Sequence, residues 1–297
     1  MPRIIRTLLI GGTGMLGRPV ARRLVREGLV VRALVRDRER ARTQLPAECE
    51  ITDGDVFDQA SLAEAMAGVN AVYVNLAAPR SPNRRDVERD GVPRIIAAAT
   101  AAGVEHLLKI SFMGVPAAVD LWWQIRHKAE SEQAIIDSSI DHTIFHPTWF
   151  MESLALFRMG RRLVLPRVAP EPLWWIAGDD FARQVVAALT ADTARNRCFV
   201  VQGLEPLSFD AAARRLAAAW PGGHGGPLRV SSIPAWVVAS MAPLVADARY
   251  LLDLLRVTFE TNTRFEGQET WDDLGTPTMT VEDYARYIDE TGDVPRK

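Results

Sequence analysis

Residues 8–24, LLIGGTGMLGRPVARRL, pass from an unbroken apolar stretch into Gly11, Gly14 and Gly17, then resume with apolar residues at helical spacing. Glycines three apart, after a strand and at the opening of a helix, read as a tight βα turn whose bare backbone approaches something closely. In such a turn the first glycine makes the reversal and the second admits a diphosphate against main chain. The third lets the helix pack on the strand. Amide groups at the helix start then face the phosphates. Gly11, Thr13, Gly14, Met15, Leu16 and Gly17 are therefore the expected diphosphate end of a dinucleotide site.

The alternation continues to about residue 150. Apolar runs at 4–10, 29–35, 50–52, 70–77, 105–111 and 141–147 read as strands, with helical patterns between them. Repeated strand and helix without hairpin signals favour a parallel sheet, helices on both faces and right-handed crossovers. A helix at 179–190 and a strand at 197–203 add one more unit. The proline-rich, aromatic stretch 161–180 reads as a loop or extended excursion, and after 204 helical patterns alone remain, broken by a 221–227 loop. The expected fold is α/β: a Rossmann-type doubly wound parallel sheet over 1–202, with its core at 1–150 and its last unit at about 176–202. Residues 203–297 are expected as a smaller, mostly helical cap over the substrate, with 151–175 contributing to the pocket.

Arg36 stands at the end of the second strand. There an acid suits the ribose diol of NAD, and a cation suits the 2′-phosphate of NADP. NADP(H) is thus the preferred cofactor, and NAD(H) stays admissible because Asp37 follows. Asp55 and Val56, after the third strand, are expected at the adenine edge, and Leu76 and Ala77, closing the fourth, at the same site. A net charge of −2 argues against a nucleic-acid groove. Two cysteines, Cys49 and Cys198, make no disulfide framework, and no Cys/His cluster has metal-binding spacing. No apolar stretch has the length of a membrane span, and the start lacks a signal peptide's apolar run, so a cytoplasmic protein with a small-molecule substrate is expected. A homodimer is left open.

The segments GGTGMLG, VRALVRD, GDVFD, HLLKIS and KAESEQAIIDSSIDHTIFHPTWFMES together resemble the NmrA-like branch of the atypical short-chain dehydrogenases/reductases, over about residues 4–202. The resemblance implies a Ser–Tyr–Lys site in which the tyrosine exchanges a proton with substrate oxygen, while lysine lowers its pKa and holds the nicotinamide ribose. Lys128 matches the lysine and Ser111 the serine, but Gln124 stands where the tyrosine belongs. Glutamine has no titratable proton, which leaves His127 or a water to supply it. Lysine occurs only at 109, 128 and 297 in a chain that otherwise uses arginine, which marks Lys128 as a position with a specific task.

Three functions fit. The favoured one is an NADPH-dependent reductase passing a hydride to an apolar or aromatic carbonyl or enone, with Lys128, Ser111 and Gln124 at the reacting end. The others are a non-catalytic, redox-sensing NADP(H)-binding regulator and an isomerase that uses the cofactor transiently. Trp122, Trp123, His146, Trp149 and Phe150, with the Trp174–Trp175 pair, are expected as walls of an apolar substrate pocket.

Overall fold

A computed structural model describes residues 5–168, 170–222, 225–242, 245–261 and 264–295. Gly223 and His224 of the expected 221–227 loop lie outside the described residues. Seven strands form one parallel sheet: β1 (Arg6–Ile10), β2 (Val30–Val35), β3 (Glu50–Asp53), β4 (Ala71–Val74), β5 (His106–Ile110), β6 (Asp141–Pro147) and β10 (Arg197–Val201). Their order is β10-β6-β5-β4-β1-β2-β3. The chain winds outward from β1 to β3, returns to β4 on the other side of β1, and winds outward again. The crevice above the carboxyl ends of β1 and β4 is therefore the switch point where open α/β sheets bind ligands.

Helices α1 (Gly17–Arg26), α2 (Arg38–Arg42), α3 (Gln59–Met66), α4 (Val92–Ala101), α5 (Val115–Ala118), α6 (Trp123–Ile136), α7 (Met151–Ala155) and α8 (Gly178–Thr190) occupy the connections. One face of the sheet buries Leu24, Tyr73, Phe145 and Phe181. The other buries Leu62, Ile95, Leu107 and Ile135. A π-helical turn at Val87–Gly91 precedes α4, where the Val92 N–H reaches back to the Val87 carbonyl. Pro93 has no N–H to give, so the regular ladder cannot be kept there. The wide turn carries Glu88.

The region after residue 150 departs from the reading as loop and helix. The hairpin of β7 (Arg158–Met159) with β8 (Arg162–Pro166) is joined in parallel by β12 (Arg229–Ile233), giving a second, three-stranded sheet. The short strands β9 (Leu173–Trp174) and β11 (Pro206–Leu207) pair antiparallel. Helices α9 (Phe209–Ala218), α10 (Ala235–Met241), α11 (Ala246–Thr261), α12 (Gln268–Leu274) and α13 (Val281–Thr291) complete the chain. Trp149, Leu163, Trp175, Phe209, Leu216, Trp220, Leu255 and Tyr284 build the core of this region. No helix among the described residues is long and apolar enough to cross a membrane.

Candidate dinucleotide and substrate cleft

A cleft of about 610 Å³ lies at the switch point, with Ile10, Val35, Asn75 and Ile110 at the strand ends beneath it. Gly11, Thr13, Gly14, Met15 and Leu16 line it from the first turn, Arg36 from the end of β2, Asp55 and Val56 from beyond β3, and Leu76 and Ala77 from beyond β4. Ser111, Gln124 and Lys128 line the same cleft from β5 and α6. In the sheet order, Arg36 and Ser111 stand on opposite sides of the β1–β4 pair, so the groove runs across the switch point.

The glycines divide their work. Gly11 has φ +88°, and a Cβ there would sit 1.8 Å from the Asn75 carbonyl oxygen. A Cβ on Gly17 would meet the Gly11 carbonyl at 2.1 Å; Gly17 does not line the cleft and serves packing. At Gly14 the single near neighbour is the Gly11 carbonyl at 3.2 Å, so its bare side is open. Leu16, at the N-cap of helix α1, provides no side-chain cap, and the first turn carries no acid. Its orphan N–H groups and positive dipole end are left for an anion. Bare backbone, an uncapped helix and an open groove fit a dinucleotide diphosphate.

The corner beyond β2 is equally specific. The Asp37 side chain caps α2, accepting from the Arg40 N–H at 3.0 Å, and Arg38 bonds Asp53 at 2.7 Å. Arg36 lines the cleft, is exposed, and has no ion pair among the described residues. Asp55 accepts from the Phe57 N–H at 2.9 Å through one oxygen.

At the other end a buried charge network holds Lys128. Its Nζ lies 2.6 Å from Glu88 Oε1, while Lys109 Nζ, from the middle of β5, lies 3.0 Å from Glu88 Oε2. Ser131 donates to the same Oε2 at 2.8 Å. Burial alone would push the Glu88 carboxyl up, but the two ammonium groups outweigh it and hold it at about 2. Burial pushes Lys109 down, with Glu88 only partly offsetting it; for Lys128 the Glu88 carboxylate overcomes burial and raises the ammonium above its usual range. Lys128 is thus a fixed positive charge facing the cleft.

Ser111 is differently engaged. Its hydroxyl donates to Glu132 Oε1, and Glu132 Oε2 is bonded to His146 Nε2 at 3.0 Å. Burial would raise Glu132, but the contacts with His146, the Lys109 charge and the Ser111 hydrogen bond together outweigh it and lower it, so it stays an acceptor. The Ser111 oxygen therefore offers lone pairs to the cleft while its proton points away. The Gln124 amide donates to the Pro79 carbonyl at 2.6 Å and pins the loop after β4.

Trp122, Trp123, His146, Trp149 and Phe150, expected as pocket walls, are not among the residues that line this cleft. Trp149 packs on Trp175 and Phe209 with its indole N–H on Thr258 at 2.9 Å, and Phe150 packs on Phe181 in the main core. Large rings with one polar atom lower their free energy most where the ring is buried and that atom is bonded. Trp122 is buried against Tyr250, Trp123 stands edge-on to His127, and His146 backs Glu132. Trp174 packs on Phe265, and the Trp175 indole bonds the Leu207 carbonyl. His127 Nδ1 bonds Asp86 Oδ2 at 3.0 Å, outside the cleft.

Sequence reasoning missed Glu88, Lys109, Glu132, Arg80 and Tyr250. For Lys109 a signal existed: with Lys128 it is one of two interior lysines in an arginine-rich chain. Among the described residues, no group of three or more His, Cys, Asp or Glu could hold a metal ion.

Comparison with known proteins agrees with this architecture. Residues 11–196 match the model of a family described as NAD(P)H-binding. A (4-alkanoyl-5-oxo-2,5-dihydrofuran-3-yl)methyl phosphate reductase of Streptomyces griseus is 34% identical over 251 residues, covering 81% of this chain and 83% of the relative. An NAD(P)H azoreductase of Xenophilus azovorans is 31% identical over 231 residues, 76% of each chain. In fold, an NADPH-dependent quinone oxidoreductase of Escherichia coli superposes with a TM-score of 0.71 at 18% identity, over 95% of this chain and 99% of the other. The glycine turn and the uncapped helix fall within the matched residues 11–196, and the chain belongs to the NAD(P)H-binding family, as an oxidoreductase of the NmrA-like, atypical short-chain dehydrogenase/reductase branch.

Proposed function

We propose that the protein uses NADPH to reduce an apolar or aromatic, conjugated carbonyl or enone. The observation that carries this reading is the continuity of one groove, from the phosphate-binding turn and Arg36 to the fixed charge of Lys128. When bound, the dinucleotide supplies a hydride. The first turn and the start of α1 hold its diphosphate, with Asp55 and Val56 on the adenine side. Arg36, exposed beside an aspartate occupied in capping, takes the 2′-phosphate. Lys128, kept charged by Glu88, stabilises negative charge developing on the acceptor oxygen and contacts the nicotinamide ribose. Ser111 and the Gln124 carbonyl offer acceptor atoms that orient the reactants.

Two measurements test the reading. Tight NADPH binding followed by its oxidation with a panel of quinones, enones and aldehydes is the expected result. Binding without oxidation across the panel would instead favour the regulator, in which the engaged Gln124 marks a site that has lost its acid. Arg36→Ala is expected to weaken NADPH about 10–100-fold, the size of one charge-assisted contact, and NADH hardly at all. Equal losses for the two coenzymes, in a fluorescence titration, would remove the 2′-phosphate assignment.

A further inference from the structure

Reduction of a carbonyl or enone needs a proton as well as a hydride, and the groups matched by the family pattern do not provide one. The Ser111 hydroxyl donates to Glu132, Gln124 is an amide, and Lys128 is held as a cation by Glu88. His127 and His146 are bonded to carboxylates away from the cleft. Besides Ser111, two hydroxyls line the groove: Thr13, in the phosphate-binding turn, and Tyr250. Tyr250, on α11, shares the cleft with Lys128, Gln124 and Ser111.

Its position is built. The Tyr250 ring meets Trp122 edge-on at 5.2 Å, and the Arg80 guanidinium lies 5.5 Å from the ring centroid. Arg80 also pairs with Asp247, one turn earlier on the same helix. Leu254 and Val257 of α11 pack with Val115, Ala118, Trp122 and Ile125 in a small separate core, which fixes the helix over the loop after β4. The phenol hydroxyl has no hydrogen-bond partner among the described residues. Burial raises its pKa, and Lys128 and Arg80 pull in the opposite direction. The phenol therefore keeps its proton at neutral pH, with a cation nearby to stabilise the anion it leaves.

We propose that Tyr250 is the general acid of the reaction, supplied by the C-terminal region in place of the tyrosine missing at position 124. The inference rests on the reductase reading. Hydride from a reduced nicotinamide adds to the electrophilic carbon, and the π pair passes to the acceptor oxygen. That oxygen takes the proton from Tyr250 Oη: one O–H bond breaks on the phenol and one forms on the product. The tyrosinate, beside the Lys128 ammonium, then regains a proton from solvent. The acceptor gains a hydride and a proton, and the coenzyme loses the hydride.

The test is Tyr250→Phe, which keeps the ring packed on Trp122. The expected result is a kcat at least about a hundredfold lower, with NADPH affinity within about twofold of the parent. A second measurement leaves the fold untouched: fluorotyrosine at position 250 lowers the phenol pKa, and the alkaline limb of kcat moves to lower pH with it. A third needs no turnover. In the ligand-free protein, ultraviolet titration shows a tyrosinate step that is absent from Tyr250→Phe and moves upward in Lys128→Met. A Tyr250→Phe enzyme that keeps kcat within about threefold overturns the assignment while leaving the reductase intact. A parent protein that binds NADPH but reduces no acceptor overturns both, and the two failures are told apart by the parent's own activity.

Discussion

Glu88→Gln lowers the stability of the protein by about 3–5 kcal/mol, the cost of leaving buried charge uncompensated. Two ammonium groups rely on this one carboxylate, and Lys109 is only 1% exposed, with no route to water. Adding Lys109→Met to the variant recovers part of the loss, because the charge left without its partner is then gone. Urea unfolding followed by circular dichroism measures both. The pH dependence has a definite sign. The folded carboxyl titrates at about 2, against an ordinary value of 4.5, so its stabilisation is fully present above 4.5 and disappears as pH falls towards 2. Glu88→Gln therefore flattens the acid limb of the stability profile in that window. An unchanged limb would mean that the network does not hold its charges as described.

The second large effect separates two glycines that look alike in sequence. Gly17→Ala drives a methyl into the Gly11 carbonyl, where 2.1 Å separates the positions, and neither backbone can yield without opening the β1–α1 junction. A loss of about 4 kcal/mol or more is expected, in the range reached when backbone packing is broken. Gly14→Ala meets that same oxygen at 3.2 Å, which a small shift relieves, and stability changes by about 1 kcal/mol or less. Its methyl projects where the diphosphate must approach, so NADPH affinity falls about a hundredfold or more, equivalent to roughly 3 kcal/mol. Thermal unfolding and calorimetric binding on the two variants, side by side, distinguish packing from ligand approach. The reverse pattern would mean that the two glycines exchange roles.

Much of this was legible in the sequence, for physical reasons. Strands buried on both faces are near-continuous apolar runs, so β1, β2 and β4 to β6 announce themselves, and the glycine turn between β1 and α1 fixes the direction of the first crossover. The strands β8 and β12 did not. RLVLP ends in proline, RVSSI lacks an apolar run, and each becomes a strand only through a partner far along the chain. The tryptophans read as pocket walls because two pairs are adjacent in sequence, whereas the interior hydrogen bonds of the Trp149 and Trp175 indoles, to Thr258 and the Leu207 carbonyl, depend on tertiary packing. Lys128 was legible by its match to a known pattern. Glu88 was not, since its approach depends on the π-helical turn before Pro93. Tyr250 was hidden for a third reason: only the tertiary docking of α11 on α5 and Trp122 carries it to the groove.

The pairing of β8 with β12 has a consequence for how the chain can be divided. Between these two strands the polypeptide goes back to lay down β10, the outermost strand of the large sheet, before it returns to complete the small one. The two sheets are interleaved, and no single cut leaves both finished. A fragment ending at residue 202 would present β8 as an open edge above the apolar side chains of Leu163 and Leu165, an invitation to self-association. Such a truncation is expected to sediment as aggregate, whereas the whole polypeptide stays dispersed; a monodisperse fragment would show that the small sheet can close without its third strand.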